Sequence, residues 1–539
     1  MDQNSNITDT LFEFAAKYPD SPAILHPLLM TYSAFCSRIE SYAAGFIGAG
    51  IGAGTKTIIL IKPGPDLFAV AFALLRIGAV PVMIDPGMGI SAMSKALART
   101  EAEAFIGMPR SLLLKLVFPE SYRSVKIWIS TGFCLPGKGL SLQSFKHIQF
   151  KTPAFNQDPG AIAAIFFTSG STGPAKGVIY KKYMLTAQIN ILRDHFGYKP
   201  GEIDLCTFPL IGLLLMSIGV TEVLADMDMT KPATFKPQKL LDNINNHCCT
   251  HMFCSPMILG RLSAYGNKYN LKAPLLKKIM TAGAPVLPGV LREARKWINT
   301  GSEIHTPYGA TEALPVTDIC DSELLPLYEN MDNYPNGICV GYPIKVIDLK
   351  IIHISEEIIE LWEDSLSAGE SEVGEITIKG PNVSQEYLAD NGSDRRSKIF
   401  DKATGLFYHR TGDLGRLDKS GRVWFYGRKS QRVVTNGTTL FTITSEAVYN
   451  LHPSVSRSAL VGVRSDNPPE KIPVICIELK KGFKGSRELK EELIKLGRQY
   501  SVTRNINHIL FHKKFPVDPR HNAKIYREKI ADWAQKTVE

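Results

Sequence analysis

No apolar stretch in this chain of 539 residues runs long enough to cross a bilayer. The two most apolar segments are residues 67–84, broken by Arg76 and Pro81, and residues 210–225, broken by Glu222. A membrane span needs about 20 unbroken residues, so both are expected as buried elements and no transmembrane segment is expected. The first residues, MDQNSNITDT, hold no basic run followed by an apolar one, and no signal peptide is expected. Paired cysteines are missing too. The nine cysteines are scattered without a single CxxC, which fits a reducing, cytoplasmic setting. The nearest approach to a metal spacing is His247, Cys248, Cys249, His251 and Cys254, expected as buried, inert side chains because zinc sites prefer paired ligands. A strong charge bias is also absent. Lys plus Arg is 62 against Asp plus Glu 52, and the net +10 is modest over this length. It fits an anionic small-molecule ligand as well as it fits nucleic acid or a membrane surface. The lysines near the C-terminus, such as Lys490 and Lys495, alternate with Glu and read as a solvated helix face.

What remains is globular: 44% hydrophobic, 21% charged and 9% aromatic, with length for three to four compact units. Residues 57–61 (TIILI) form a β-branched run fit for a strand buried on both faces. Pro63, Gly64 and Pro65 turn it into a helix over 67–77, and residues 80–84 supply the next strand. This βαβ rhythm predicts a doubly wound parallel sheet. It recurs after Ala161, with strands at 162–167, 276–281 and 303–306 and a helix at 237–246. After about residue 340 the pattern changes. Residues 346–354, 374–380 and 421–427 alternate as in an antiparallel, barrel-like region, interrupted by an acidic loop over 356–372. The tail predicts a small α+β unit, with strands at 458–463, 474–479 and 508–511 and a helix over 486–501. The expected architecture is α/β: a large N-terminal domain over 1–427 holding doubly wound sheets and the barrel-like region, then a small hinged C-terminal domain over 428–539.

The chemistry concentrates in a few loops. Thr168, Ser169, Gly170, Ser171, Thr172, Gly173, Pro174, Ala175, Lys176 and Gly177 directly follow the apolar run AIAAIFF. Glycines let backbone N–H groups converge on phosphate oxygens, while hydroxyls and a lysine add donors. The loop is not a Walker A motif, because Ala175 precedes the lysine and Gly177 stands where a Mg²⁺-binding hydroxyl would be. TSGSTGPAKG resembles the phosphate loop of the adenylate-forming superfamily of acyl-CoA synthetases, luciferases and adenylation domains. Further segments follow in that superfamily's order. Ala282, Gly283, Ala284 and Pro285 resemble the adenine-lining segment. Tyr308, Gly309, Ala310, Thr311 and Glu312 resemble the motif whose Tyr packs on adenine, whose Thr meets the α-phosphate and whose Glu binds Mg²⁺. The block from Tyr408 to Asp413 resembles the one whose Asp holds the ribose hydroxyls, and Arg428 resembles the ribose-contacting Arg of the hinge. Lys524, within RHNAKI, takes the place of the catalytic lysine.

The resemblance implies an AMP-forming, acid-activating ligase using ATP and Mg²⁺, with Lys524, Thr311 and Glu312 as catalytic residues. CoA ligases commonly carry an aromatic or histidine gate in the segment that here reads 208–214 (FPLIGLL); no histidine is present, and the stretch is almost wholly aliphatic, which suits a long alkyl chain. With residues 305–315, 427–433 and 515–525, it is similar to the β-lactone-forming branch of bacterial long-chain olefin biosynthesis. That similarity implies a 2-alkyl-3-hydroxy fatty acid as the small-molecule partner. Activation as acyl-AMP would be followed by attack of its own 3-hydroxyl to close a β-lactone. Association with other enzymes of such a pathway is compatible with it, and no nucleic acid is implied. A long-chain acyl-CoA ligase, or a fatty-acyl-AMP ligase, shares every adenylation residue and stays open as the alternative. His305, His195 and His409 are candidate bases for the hydroxyl, each better explained as a structural or nucleotide-side histidine, and none is assigned.

Overall fold

The computed structural model describes residues 7–132, 139–148, 158–167, 175–329, 337–435, 437–464, 470–517 and 525–538. Two seven-stranded sheets occupy its first half. One orders its strands Leu140–Ser141, Ile127–Ser130, Ala104–Gly107, Lys56–Leu60, Val80–Met83, Ile162–Phe167 and Gly177–Lys181. All its pairings are parallel except the last. The other runs Glu303–His305, Lys278–Thr281, His251–Cys254, Ile203–Cys206, Thr221–Leu224, Pro22–His26 and Met30–Thr31, parallel until its final pair. The helices Tyr32–Gly48, Pro65–Arg76, Lys182–Asp194 and Pro209–Met216 contribute to one core with strand residues of both sheets, including Ile59, Ala164, Ile24 and Leu224. Burial between two sheets explains why Pro65–Arg76 is apolar nearly all round, from Phe68 to Leu75.

Strands Ile203–Cys206 and Thr221–Leu224 set Asp204 directly opposite Glu222. Both are buried, and among the described residues none of their four carboxylate oxygens accepts an N–H or O–H hydrogen bond. Burial pushes the Asp204 carboxyl up to about 7 and the Glu222 carboxyl well above its usual range, the Asp204 charge adding to the rise at Glu222.

The third sheet corrects the barrel-like expectation. Its eight antiparallel strands form an open sheet ending at Tyr308–Ala310 on one side and Asp348–Ile352 on the other. Closure would require those ends to pair. Tyr308–Ala310 is only three residues long and leaves Glu303–His305 of the neighbouring sheet almost at once, which holds it at the seam. The acidic stretch 356–372 is largely irregular, with one short turn of helix at Asp364–Leu366.

Beyond Arg428 come the hairpin Val433–Thr435 and Thr438–Leu440, then a three-stranded sheet of Val455–Arg464, Lys471–Leu479 and His508–Phe511. Two core clusters of their own cover this sheet, one around Tyr449, Leu460 and Leu493, the other around Val461, Phe515 and Ile530. The junction is tight at Gly427. Its φ of +117° suits glycine, and a Cβ there would strike the Thr442 hydroxyl. Helix Arg527–Val538 is tied back by Arg527, whose guanidinium lies 2.7 Å from Oε2 and 2.8 Å from Oε1 of buried Glu446. The loose histidine–cysteine cluster is partly as expected. Cys249, His251 and Cys254 are buried, but Cys248 is exposed at a left-handed turn of φ +54°.

Candidate active site

The strand Ile162–Phe167 and the strand Gly177–Lys181 pair antiparallel, with Phe167 opposite Gly177. The phosphate-loop residues 168–174 therefore join two adjacent strand ends, and they, like Lys524, lie outside the described residues. Gly177 is closely packed: a Cβ would come within 3.1 Å of the Leu388 side chain and 3.2 Å of Phe167, so a larger residue would need both to give way. The outer edge of that strand is met by residues 386–388, through a Val178–Tyr387 bridge and a Leu388 N–H to Gly177 O bond of 2.7 Å. This pairing brings Tyr387 beside Lys176.

Thr311 and Glu312 form the two-residue tip of a hairpin in which Ala310 faces Ala313. The tip is pinned on three sides. Tyr180 donates its hydroxyl to Thr311 O at 2.6 Å, Ser384 N–H donates to Glu312 O at 2.8 Å, and Tyr387 donates to Glu312 Oε1 at 2.8 Å. Gly309 needs its missing side chain, since a Cβ would stand 2.7 Å from Ala313 O. The Lys176 ammonium sits 5.0 Å from the Tyr387 ring centre, and the Lys398 ammonium 5.3 Å from it. Burial lowers the Lys398 pKa to about 8, against the opposing pull of Glu312 and Asp394.

A second cluster gathers at the third sheet. Asp413 and Arg428 are partners across adjacent strands. Tyr308 donates to Asp413 Oδ2 at 2.7 Å, and Arg428 Nε lies 3.0 Å from Oδ1. That second contact is an ion pair out of line for a hydrogen bond, so among the described residues buried Oδ1 has no donor. Burial raises the Asp413 pKa, partly offset by Arg428 and Tyr308. Tyr308 is raised well above its usual value by burial and by the Asp413 charge. An unmatched buried acceptor beside a guanidinium is a fitting receiver for ribose hydroxyls. Glu312, with Oε1 taken by Tyr387, has Oε2 to offer a hard cation such as Mg²⁺.

Gly283, Ala284 and Pro285 follow the carboxyl end of Lys278–Thr281, the end at which parallel sheets bind ligands. Phe208 and Phe253 lie at the same edge with ring centres 5.7 Å apart, and residues 208–211 are the less buried part of the aliphatic segment. From Gly212 to Met216 that segment fills core. His195 and His305 both hydrogen-bond Asp318 Oδ2, at 3.1 Å and 2.6 Å. Burial alone would raise Asp318, but these two bonds hold its pKa below the usual range. His409 is buried, and burial drives its pKa well down. Tyr180, Ser384, Tyr387 and Lys398 were not marked by the sequence. Tyr387 alone carries a faint signal, standing a few residues past the Gly380–Pro381 turn.

A family profile described as AMP-binding enzyme matches residues 11–388. An olefin beta-lactone synthetase from Xanthomonas campestris pv. campestris is 36% identical, with 98% of this chain and 97% of that protein covered. One from Stenotrophomonas maltophilia is also 36% identical, with both chains covered in full. Among solved structures, an amide bond synthetase from Marinactinospora thermotolerans superposes with TM-score 0.78 at 20% identity, covering 98% of this chain and 100% of its own. An anthranilate CoA ligase in complex with anthranoyl-AMP gives TM-score 0.80 at 17% identity, covering 100% and 99%. The chain belongs to the AMP-binding enzyme family.

Proposed function

We propose that this chain activates a long-chain 2-alkyl-3-hydroxy fatty acid with ATP and closes the acyl-adenylate to a β-lactone, releasing pyrophosphate and AMP. The observation that carries the reading is the end-to-end match at 36% identity to two olefin beta-lactone synthetases, against 22% for a 4-coumarate–CoA ligase. In the first step a carboxylate oxygen bonds to the α-phosphorus and the bond to pyrophosphate breaks. Two anions must meet, so the protein contributes positioning and compensating charge. Asp413 and Arg428 hold the ribose, and Tyr308 and residues 283–285 face the adenine. Residues 168–173 with Lys176 hold the departing phosphates, and Thr311 meets the α-phosphate. Mg²⁺ held by Glu312 would neutralise phosphate charge. Lys524 bridges the attacking carboxylate and the α-phosphate, carried by a small domain over 428–539 that moves against 1–427. In the second step the 3-hydroxyl oxygen bonds to the acyl carbon, loses its proton, and AMP departs. Because nucleophile and carbonyl share one molecule, no thiol is needed. The eight cysteines among the described residues are unpaired, which supports a reducing, cytoplasmic setting.

AMP release from matched acids, with and without the 3-hydroxyl and with and without coenzyme A, tests this. Turnover of the hydroxy acid without coenzyme A is expected, with lactone as product. Rapid turnover of plain fatty acids only when coenzyme A is present, yielding thioester, would replace the lactone reading with the ligase one.

A further inference from the structure

Lys398 begins the strand Lys398–Asp401 and pairs with His409. The residue is 5% exposed. Among the described residues its ammonium forms no ion pair. Its hydrogen bond goes to the Ser384 carbonyl oxygen, and its charge faces the Tyr387 ring. Glu312 and Asp394 favour its charge from beyond ion-pair distance, but an ammonium so buried without a direct carboxylate contact is costly to keep, and an apolar side chain of the same length would serve packing better. What it touches gives the reason for its presence. Ser384 donates its N–H to Glu312 O, and Tyr387 donates its hydroxyl to Glu312 Oε1. Lys398 thus holds both residues that hold Glu312, one through its carbonyl and one through its ring. With Lys176 it also places a second cation over the same phenol. Cations over an aromatic face draw on its electron density, which makes the phenol O–H a stronger donor to the carboxylate.

We propose that Lys398 is a positioning residue for adenylation, fixing Glu312 through Tyr387 and Ser384 and compensating its charge as the triphosphate enters. The inference rests on the adenylation step of the proposed function and is independent of lactone closure.

The test is acid-dependent ATP–pyrophosphate exchange by the full chain, with thermal midpoints measured alongside. Lys398→Met is expected to keep or raise the midpoint, since it exchanges a buried charge for an apolar side chain of like length. Its kcat should nevertheless fall roughly 10- to 100-fold with KM for the acid within about threefold. Lys398→Gln should behave alike. In a Tyr387→Phe background, Lys398→Met should cost much less than it does alone, because the shared route to Glu312 is already cut. A kcat within threefold of wild type, or full additivity with Tyr387→Phe, overturns the proposal. So does failure of both Lys398 variants to fold, which would assign the ammonium to stability. If the wild-type protein itself shows no acid-dependent exchange, the adenylation reading fails instead.

Discussion

Asp413 is served by two donors of different kinds, a phenol in hydrogen-bond line with one oxygen and a guanidinium beside the other. The acceptor left over is the part of the arrangement that a nucleotide can complete. Asp413→Asn keeps the shape but offers an amide donor in one place where an acceptor is needed. We expect KM for ATP to rise roughly tenfold or more, because a mismatched buried polar group forfeits its hydrogen bond. Inhibition by pyrophosphate should be little changed, since the phosphates are assigned to Lys176 and its loop. The stability loss should be near 1 kcal/mol, as the Arg428 side chain is 40% exposed and can rehydrate. Equal losses in ATP and pyrophosphate affinity would show that the substitution disturbs the whole site.

At the scale of elements, the pairing of Asp204 with Glu222 makes stability depend on pH. The native state keeps protons that the unfolded chain releases in the ordinary carboxylate range. Raising the pH from about 4 through the folded Asp204 value of about 7 therefore favours unfolding. Asp204→Asn should gain roughly 1–3 kcal/mol at pH 8 and little at pH 4. Thermal melts across this range check it, and parallel wild-type and variant profiles would contradict it. Much of the sheet architecture was open to sequence reasoning because burial on both faces writes itself locally, as in TIILI and in the strand Ile162–Phe167. The helix Pro237–Asn246 was equally plain, bounded by its N-terminal proline and its own amphipathic period. The failures share a cause. Whether the third sheet closes depends on how its distant edges are held, and Tyr387 and Lys398 join the site only through long-range pairing. Asp204 meets Glu222 through strand register, which no local pattern in either strand encodes. Tyr308, Asp413 and Arg428, which the structure brings together, could be picked out because each sits in a compact motif. The supports of the site could not, because they come from elsewhere in the chain.

Across the whole molecule, the loop bearing Lys524 has its ends fixed by a Val517–Ile525 pairing, and the Arg527–Glu446 ion pair stands just beyond. Glu446 lies on the helix Thr442–Asn450, which also meets the strand ending in Arg428 through Gly427. Lys524→Ala should lower adenylation by two to four orders of magnitude, roughly 3–5 kcal/mol, with the melting midpoint intact. Glu446→Gln should also lower adenylation, but together with a stability loss of about 3 kcal/mol from stranding a largely buried guanidinium. Denaturant titration beside exchange assays separates the two, and an unaltered midpoint in Glu446→Gln would deny the ion pair its anchoring role. The edge strand Gly177–Lys181 carries one more consequence. The segment that covers it, around Ser384 to Leu388, lies more than two hundred residues further along the chain. At about 5–20 residues per second, the ribosome leaves the GVIYK edge uncovered for roughly 10–40 s of every synthesis. During that interval a row of unpaired backbone donors and acceptors, flanked by apolar side chains, is open to any other strand, and the nascent chain is exposed to edge-to-edge association until residues 384–388 arrive.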